Sequence, residues 1–411
     1  MRTKKNRFCR LFYEHPGSFR RKLTNRKFWI VLALLLPLSD WLGKNVMFDP
    51  AAKWYFDWLL RQRDKQQEHF TRIVRIGPED HERIFNSRSP LNSPALYESV
   101  CALLRRGPAV VVVDIDTSND KEYKGFRVPT SGNVVWARDL VQIPSGSGRR
   151  FAADPVLGGY LEPVYGIATM PADFDGRVRR WARFVAIDDT LRPTLIWRAV
   201  QEYCTGSFRP GCPAPRELNS AREASFELSR DVVFQTLELS EFLPGRSQSM
   251  AKDCTERIPD PRLKNRIVLL GGFYSREDLH DTPWGKRTGA ELIAMAIEHE
   301  LEPRPLHHLT LPLKWGVKIL IAFAIAFIHH RLRPLSAAVG TLCLLPLVIL
   351  VSGYLAFYLG DSDLAATPFL IGILIEQLGT GAEQAEHVAQ RLEQLIQKNR
   401  RVAVQPRNGG K

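Results

Sequence analysis

The sequence predicts an α/β extracytoplasmic domain with a largely parallel sheet, together with four transmembrane helices, one N-terminal and three C-terminal. Three observations predict it: where the apolar segments lie, how charge alternates between them, and how strand and helix patterns alternate in the polar stretch they enclose. The apolar segments fall at about 28–42, 315–328, 335–359 and 364–378. Between the first and the second lie 267 residues of mixed polar sequence, Lys44 to Thr310.

Charge orients these segments. The chain carries a formal net charge of +13, which in a compact protein would suggest nucleic-acid binding. Divided by segment, it says something else. Residues 1–27 hold ten Lys/Arg and one Glu, and residues 380–411 hold six basic and three acidic side chains. Arg331 and Arg333 make the turn between the second and third segments basic, whereas Asp361 and Asp363 make the next turn acidic. The long stretch is near neutral, with 37 basic and 36 acidic residues. Alternation of this kind follows the positive-inside rule. It predicts cytoplasmic termini, an extracytoplasmic stretch 44–310 at the bacterial inner membrane, and no nucleic-acid partner. Segment 28–42 is short for a bilayer core of ~30 Å, but Lys27, Trp41 and Lys44 flank it as interfacial anchors. No small-residue cleavage site follows it, so it reads as an uncleaved anchor at 28–43 rather than a signal peptide. The last three spans form a bundle at 311–378, and 379–411 is a cytoplasmic tail.

The long stretch reads as strands and helices in turn. Thr71–Ile76 has strand character. Residues 95–106 make a helix, entered through Pro94 and stopped by Gly107-Pro108. The valine run 109–115 suits a strand buried on both faces. Further strands are expected at 134–136, 165–168, 178–187 and 232–237, with a helix at 194–203. Residues 266–272 form another buried strand, and 288–301 a helix that leads on to the second apolar segment. Such alternation with apolar strands argues for a layered α/β domain. Residues 143–150 and 206–221 read as exposed loops. Cys204 and Cys212 flank a turn-rich loop that could close locally as a disulfide. Cys101 sits on an apolar helical face and reads as a buried thiol, which leaves Cys254 without a mate. No cysteine or histidine group has metal-ligand spacing, no cofactor is expected, and no nucleophile elbow or phosphate loop is present. The chain therefore reads as non-enzymatic.

Two groups of polar residues follow buried strands. Asp114, Asp116 and Asp120, with Thr117 and Asn119 among them, follow the valine strand. Asp278, His280, Asp281 and Thr282 follow the strand at 266–272. In open α/β sheets ligands gather at the carboxyl ends of strands. If these strands are neighbours, the two groups converge on a site for a hard cation, a polyhydroxy compound or an amine. The competing reading is that these residues cap helices and order turns. His280 offers a general base or a pH switch, or a purely structural hydrogen bond. The run Arg177-Val178-Arg179-Arg180 reads as a solvated turn or an anion contact, with the pair Arg179/Arg180 reading rather as structural. In the tail, Ala385, Val388, Ala389, Leu392, Leu395 and Ile396 keep helical spacing. This marks a short amphipathic helix for a cytoplasmic signalling or membrane protein docking at 380–400, or for the inner bilayer surface.

Three stretches resemble the CHASE type two domain, an extracytoplasmic sensory module of bacterial receptors. The first is Leu103-Leu104-Arg105-Arg106-Gly107-Pro108 running into Val111-Val112-Val113-Asp114-Ile115-Asp116. The second is Asp173-Phe174-Asp175-Gly176-Arg177-Val178-Arg179-Arg180, similar to the family's Asp-Gly-x-x-Arg turn. The third, and most specific, joins Lys264 through Gly271-Gly272 to Asp278-Leu279-His280-Asp281-Thr282-Pro283-Trp284-Gly285 and the helix Thr288-Gly289-Ala290-Glu291. The resemblance covers about 51–378. It implies structural duties for Asp175, Gly176, Arg179, Gly271, Pro283, Gly289 and Glu291, and a paired receptor, hence a homodimer or complex subunit. Family members commonly continue into a cytoplasmic output domain, whereas here only 379–411 follows.

Together these features imply a membrane-bound sensor or adaptor. It would bind an unknown small ligand, ion or envelope component and relay this through the transmembrane bundle to a separate cytoplasmic partner. The alternatives are a structural subunit of a bacterial envelope complex and, third, an extracytoplasmic hydrolase using Asp114, Asp116 and His280.

Overall fold

In the computed structural model the described residues are 49–303, with short interruptions, and isolated positions at 307–308, 316, 347, 350–351, 353–354 and 362–363. The chain divides into two compact units, Met1–Phe56 with Leu306–Lys411, and Asp57–Pro305. In the first unit the Tyr55 hydroxyl donates to the Leu350 carbonyl at 2.9 Å, and His307–His308 pairs in parallel with Ser362–Asp363.

The second unit is built on a six-stranded sheet. Its strands are β1 (Thr71–Ile76), β2 (Val110–Asp114), β3 (Val134–Arg138), β4 (Tyr165–Ile167), β5 (Thr236–Glu238) and β6 (Ile267–Gly272). They lie in the order β5-β1-β6-β2-β3-β4, and every neighbouring pair is parallel. Side chains alternate between two cores, as the pleat requires. Val110 and Val112 enter one core with α4 (Leu195–Cys204) and α5 (Gly289–Leu301). Val111 and Val113 enter the other, with α2 (Pro78–Phe85) and α3 (Ser93–Arg105). All four valines are fully buried, each removing ~1.5–3 kcal/mol of apolar surface from water. The result is a three-layer α/β domain. Antiparallel hairpins decorate it, among them β7 (Leu279–Thr282) with β8 (Gly285–Thr288).

Several expectations need correction. Four membrane-crossing helices are not supported: among the described residues no helix is long and apolar enough to cross a membrane. The apolar α5 has 13 residues, or ~20 Å at 1.5 Å per residue, well short of the ~30 Å of a hydrocarbon core. Segments 28–42, 315–328, 335–359 and 364–378, and the tail helix at 385–396, lie outside the described residues or touch only isolated ones. The single strand expected at 178–187 is two, Arg180–Ala182 and Phe184–Ile187. The loop expected at 143–150 is part of the hairpin Leu140–Ser145 with Gly148–Ala153. Cys101 is not a free thiol; it is joined to Cys254 across 153 residues. Its burial on an apolar helix face was legible, but a partner so distant in sequence was not. Cys204 and Cys212 form a second disulfide.

Candidate functional site

The edge where strands end is organised by the directions in which the chain leaves them. After β2 the chain turns into the core of α2 and α3, to which Tyr123 and Phe126 belong. After β6 it passes through the β7–β8 hairpin into α5, in the opposite core. β2 and β6 are neighbours, and Asp114 stands in register with Gly271. Departure to opposite faces opens a crevice between adjacent strand ends, the position where doubly wound sheets take ligands.

A cavity of about 240 Å³ lies there, lined by Asp114, Ala168, Thr169, Met170, Val178, Asp278, His280, Gly289, Leu292 and Ile293. Sheet and helix meet closely on its floor. A Cβ at Gly271 would come within 2.7 Å of the Ala290 Cβ, so only glycine lets the start of α5 rest on β6 this tightly. Thr288 caps α5 in a reciprocal box: its hydroxyl accepts from the Glu291 amide and its own amide donates to Glu291 Oε2. Asp278 accepts from the Gly289 amide at 3.0 Å through Oδ2, and His280 Nε2 lies 3.3 Å from its Oδ1. A side chain at Gly289 would put a Cβ 2.6 Å from that carboxylate.

Asp114 differs from Asp278. Among the described residues its carboxylate has no hydrogen-bond or ion-pair partner. Burial, then the nearby carboxylates of Asp278 and Asp139, push its pKa up to about 7. Removal from water penalises the charged form, and like charges add to the penalty. The group is therefore poised between acid and carboxylate near neutrality.

The other predicted residues serve the local chain. Asp116 is exposed and accepts from the Ser118 amide at 2.9 Å. The buried Thr117 hydroxyl accepts from the Leu157 amide at 3.3 Å. Asn119 caps the short helix Asp120–Tyr123 by accepting from Glu122. Asp281 offers its main-chain carbonyl to the Val178 amide at 2.9 Å. Thr282 is buried, donating to the Gly285 carbonyl at 2.6 Å and accepting from the Trp284 amide. The Pro283 carbonyl accepts from the Arg61 guanidinium. So the structure brings Asp114, Asp278 and His280 into one cavity and leaves Asp116, Thr117, Asn119, Asp281 and Thr282 out of its lining.

The arginine run is not a solvated turn. Arg179 is 3 % exposed. Its guanidinium donates to Asp57 at 2.7 and 2.9 Å, to Asp173 at 2.7 Å and to Asp175 at 2.9 and 2.8 Å. Arg177 also pairs with Asp57, and Arg180 with Asp173. Burial works against the Arg179 charge, but its hydrogen bonds to Asp57, Asp175 and Asp173 outweigh it and raise the pKa. Gly176 turns the chain at φ +77°, so that Asp173 and Asp175 face one guanidinium. This ties the end of α1 (Asp49–Arg61) to the turn before the cavity residue Val178.

The sequence reading missed Glu298, His299 and Glu300, all buried on the last turn of α5. Glu298 Oε1 accepts from the Phe70 amide at 2.8 Å, the Thr71 amide at 2.7 Å and the Thr71 hydroxyl at 2.7 Å. Glu300 accepts from Trp181 Nε1 at 2.7 Å and from Arg183. His299 Nδ1–H donates to the Met295 carbonyl at 2.7 Å, while Nε2 accepts from the Ser229 amide at 3.1 Å. Burial pushes its pKa down to about 3. The available signal was α5 itself, apolar on every side: a helix buried all round must bury its polar residues too.

The chain matches the CHASE2 domain family over residues 29–328. It belongs to that family. CHASE2 domains are sensory, so a sensory role in signal transduction is the coarse function of this chain. Neither the curated proteins nor the solved structures give a match. In this CHASE2 domain the Asp-Gly-x-x-Arg turn is the buried Arg179 network, and the Asp-Leu-His segment carries the carboxylate that crowns α5.

Proposed function

We propose that this CHASE2 domain works outside the cytoplasm as a receptor for a small molecule, taken into the cavity at the ends of β2 and β6. The observation that carries the reading is the Asp114 carboxylate, without a hydrogen-bond or ion-pair partner among the described residues, sharing a cavity with Asp278 and His280 at the switch point of the sheet. At about 240 Å³ the cavity lies just below the ~300–1,000 Å³ of drug-sized sites, which favours a metabolite of few atoms. Two disulfides, Cys101–Cys254 and Cys204–Cys212, favour an oxidising, extracytoplasmic compartment, because thiols stay reduced in the cytosol.

The first turn of α5 forms one wall of the cavity, through Gly289, Leu292 and Ile293. In this reading, occupancy biases the position of α5, and a separate partner protein recognising residues 380–400 reads the change. Such a bias requires a ligand with different affinity for the two positions.

The test is a thermal-shift measurement on the purified full-length chain with small-molecule fractions of spent growth medium. The variant Ala168→Trp fills the cavity. A fraction that stabilises the wild type and not the variant supports the reading. Equal stabilisation of both would place binding elsewhere and reject it.

A further inference from the structure

The cavity walls carry more information than its location. Ala168, Met170, Val178, Leu292 and Ile293 are apolar, and Asp114, Thr169, Asp278 and His280 are the polar side chains of the lining. Among these, Asp278 is already engaged by the Gly289 amide and by His280. The start of α5 is likewise occupied: its amides at Gly289 and Glu291 already donate to Asp278 and Thr288. An anion therefore finds no free helix amide at these positions, and it meets two carboxylates. A divalent metal ion is poorly served too. Calcium takes six to eight oxygens, and among the described residues no group of three or more His, Cys, Asp or Glu could hold a metal ion.

An alkylammonium matches all of these features at once. Its three N–H donors suit both Asp114 oxygens and the remaining capacity of Asp278, and charge-assisted bonds of this kind are the strong ones. Its hydrocarbon part covers Met170, Leu292 and Ile293, whose burial of apolar surface drives binding. From this geometry we propose that the ligand of the site is a small primary amine with a short apolar body, held with its ammonium between Asp114 and Asp278. This rests on the cavity being the ligand site, as argued above.

The proposal has a pH signature. With the Asp114 pKa near 7, the carboxylate is about one-tenth ionised at pH 6 and nine-tenths at pH 8. An amine that needs the ionised form binds about tenfold more weakly at pH 6 than at pH 8. A carboxylic acid that accepts from protonated Asp114 shows the opposite trend.

The experiment is isothermal titration calorimetry of the full-length chain with n-butylamine, n-butanol, butyrate and calcium chloride, each at millimolar concentration, at pH 6 and pH 8. It is repeated with Asp114→Asn, which keeps the shape of the neutral side chain. Binding of butylamine that strengthens about tenfold towards pH 8 and disappears in Asp114→Asn supports the proposal. Equal binding of butanol, or butyrate or calcium binding that depends on Asp114, would keep the cavity as the site and overturn the amine. Absence of any Asp114-dependent butylamine binding overturns the amine as well. The receptor reading itself falls only with the Ala168→Trp comparison, so the two failures are told apart.

Discussion

The two ends of α5 hold similar residue types and treat them differently. At the C-terminal end Glu298, His299 and Glu300 are buried, and each has partners from distant parts of the chain: His69 to Thr71, Ser229, Trp181 and Arg183. At the N-terminal end Asp278 and His280 are about 43 % and 44 % exposed, and Asp114 beside them has no partner at all among the described residues. A polar group buried with full hydrogen bonding fixes structure, whereas one left unsatisfied costs free energy unless a ligand completes it. The C-terminal end is an anchor, and the N-terminal end carries the carboxylate proposed above to receive a ligand. An acidic residue near a strand or helix end does not declare which of these it is; its partners decide.

The harshest way to break the contrast is to remove the anchor. Glu298→Ala leaves the amides of His69, Phe70 and Thr71 without their acceptor at the start of β1. At ~1–3 kcal/mol for each orphaned donor, the loss is about 3 kcal/mol or more, a large part of a domain stability of ~5–15 kcal/mol. Urea denaturation checks it: a midpoint close to wild type would mean that α5 is not held from this end. Next comes Arg179→Ala, which strips the shared guanidinium from Asp57 and Asp173 while both stay buried. Breaking a buried ion pair from one side costs ~3–5 kcal/mol, and the remaining pairs to Arg177 and Arg180 keep the expected loss near ~3 kcal/mol. Arg179→Lys recovers little of it, since an ammonium cannot bridge three carboxylates.

The two ends also tilt stability with pH in opposite directions. His299 titrates near 3 when folded against 6.5 ordinarily. Below pH 6.5 the unfolded chain gains a proton that the folded chain refuses, so this end loses stability as pH falls towards 3. Asp114 titrates near 7 when folded against 3.8 ordinarily. The folded chain keeps a proton that the unfolded chain gives up, so this contribution is full below pH 3.8 and is lost as pH rises to 7. Between pH 4 and 6.5 the two slopes, each at most ~1.4 kcal/mol per pH unit, oppose one another. Urea midpoints across that range sharpen the comparison. Relative to wild type, Asp114→Asn should lose stability towards acid, and His299→Gln should gain it. Parallel profiles for both variants would refute the assignment of opposite roles.

Much of the fold was legible because it is written in local periodicity. The valine run, the strand at 266–272 and the helix beginning at Thr288 each stand on neighbours within one element. Convergence of Asp114 with Asp278 needed one further fact, the adjacency of β2 and β6, which follows from strand order and not from either strand. What stayed hidden is carried by contacts far apart in sequence. Arg179 reads as a structural arginine, but its partner Asp57, 122 residues away, is not legible from the turn itself. Cys101 looks like a lone thiol until Cys254 arrives. The membrane-spanning helices were inferred from the placement of apolar segments, from loop charge and from the family resemblance, and among the described residues no helix is long and apolar enough to cross a membrane.

The smallest effect tests the distinction most directly. Asp114 and Asp116 are two residues apart, carry the same side chain and follow the same strand. The pleat alone would keep residues two apart on one face, but β2 ends at Asp114 and the turn after it sends them to different surroundings: Asp114 to the cavity, Asp116 to solvent and the Ser118 amide. Asp116→Ala therefore removes one exposed turn hydrogen bond, worth within ~0.5 kcal/mol, and leaves ligand-induced thermal stabilisation as it was. Asp114→Asn should abolish that stabilisation while the chain stays folded. If Asp116→Ala weakened ligand response as much as Asp114→Asn, the site would extend over the whole acidic loop. The division between a receptive carboxylate and a turn-forming one would then be wrong.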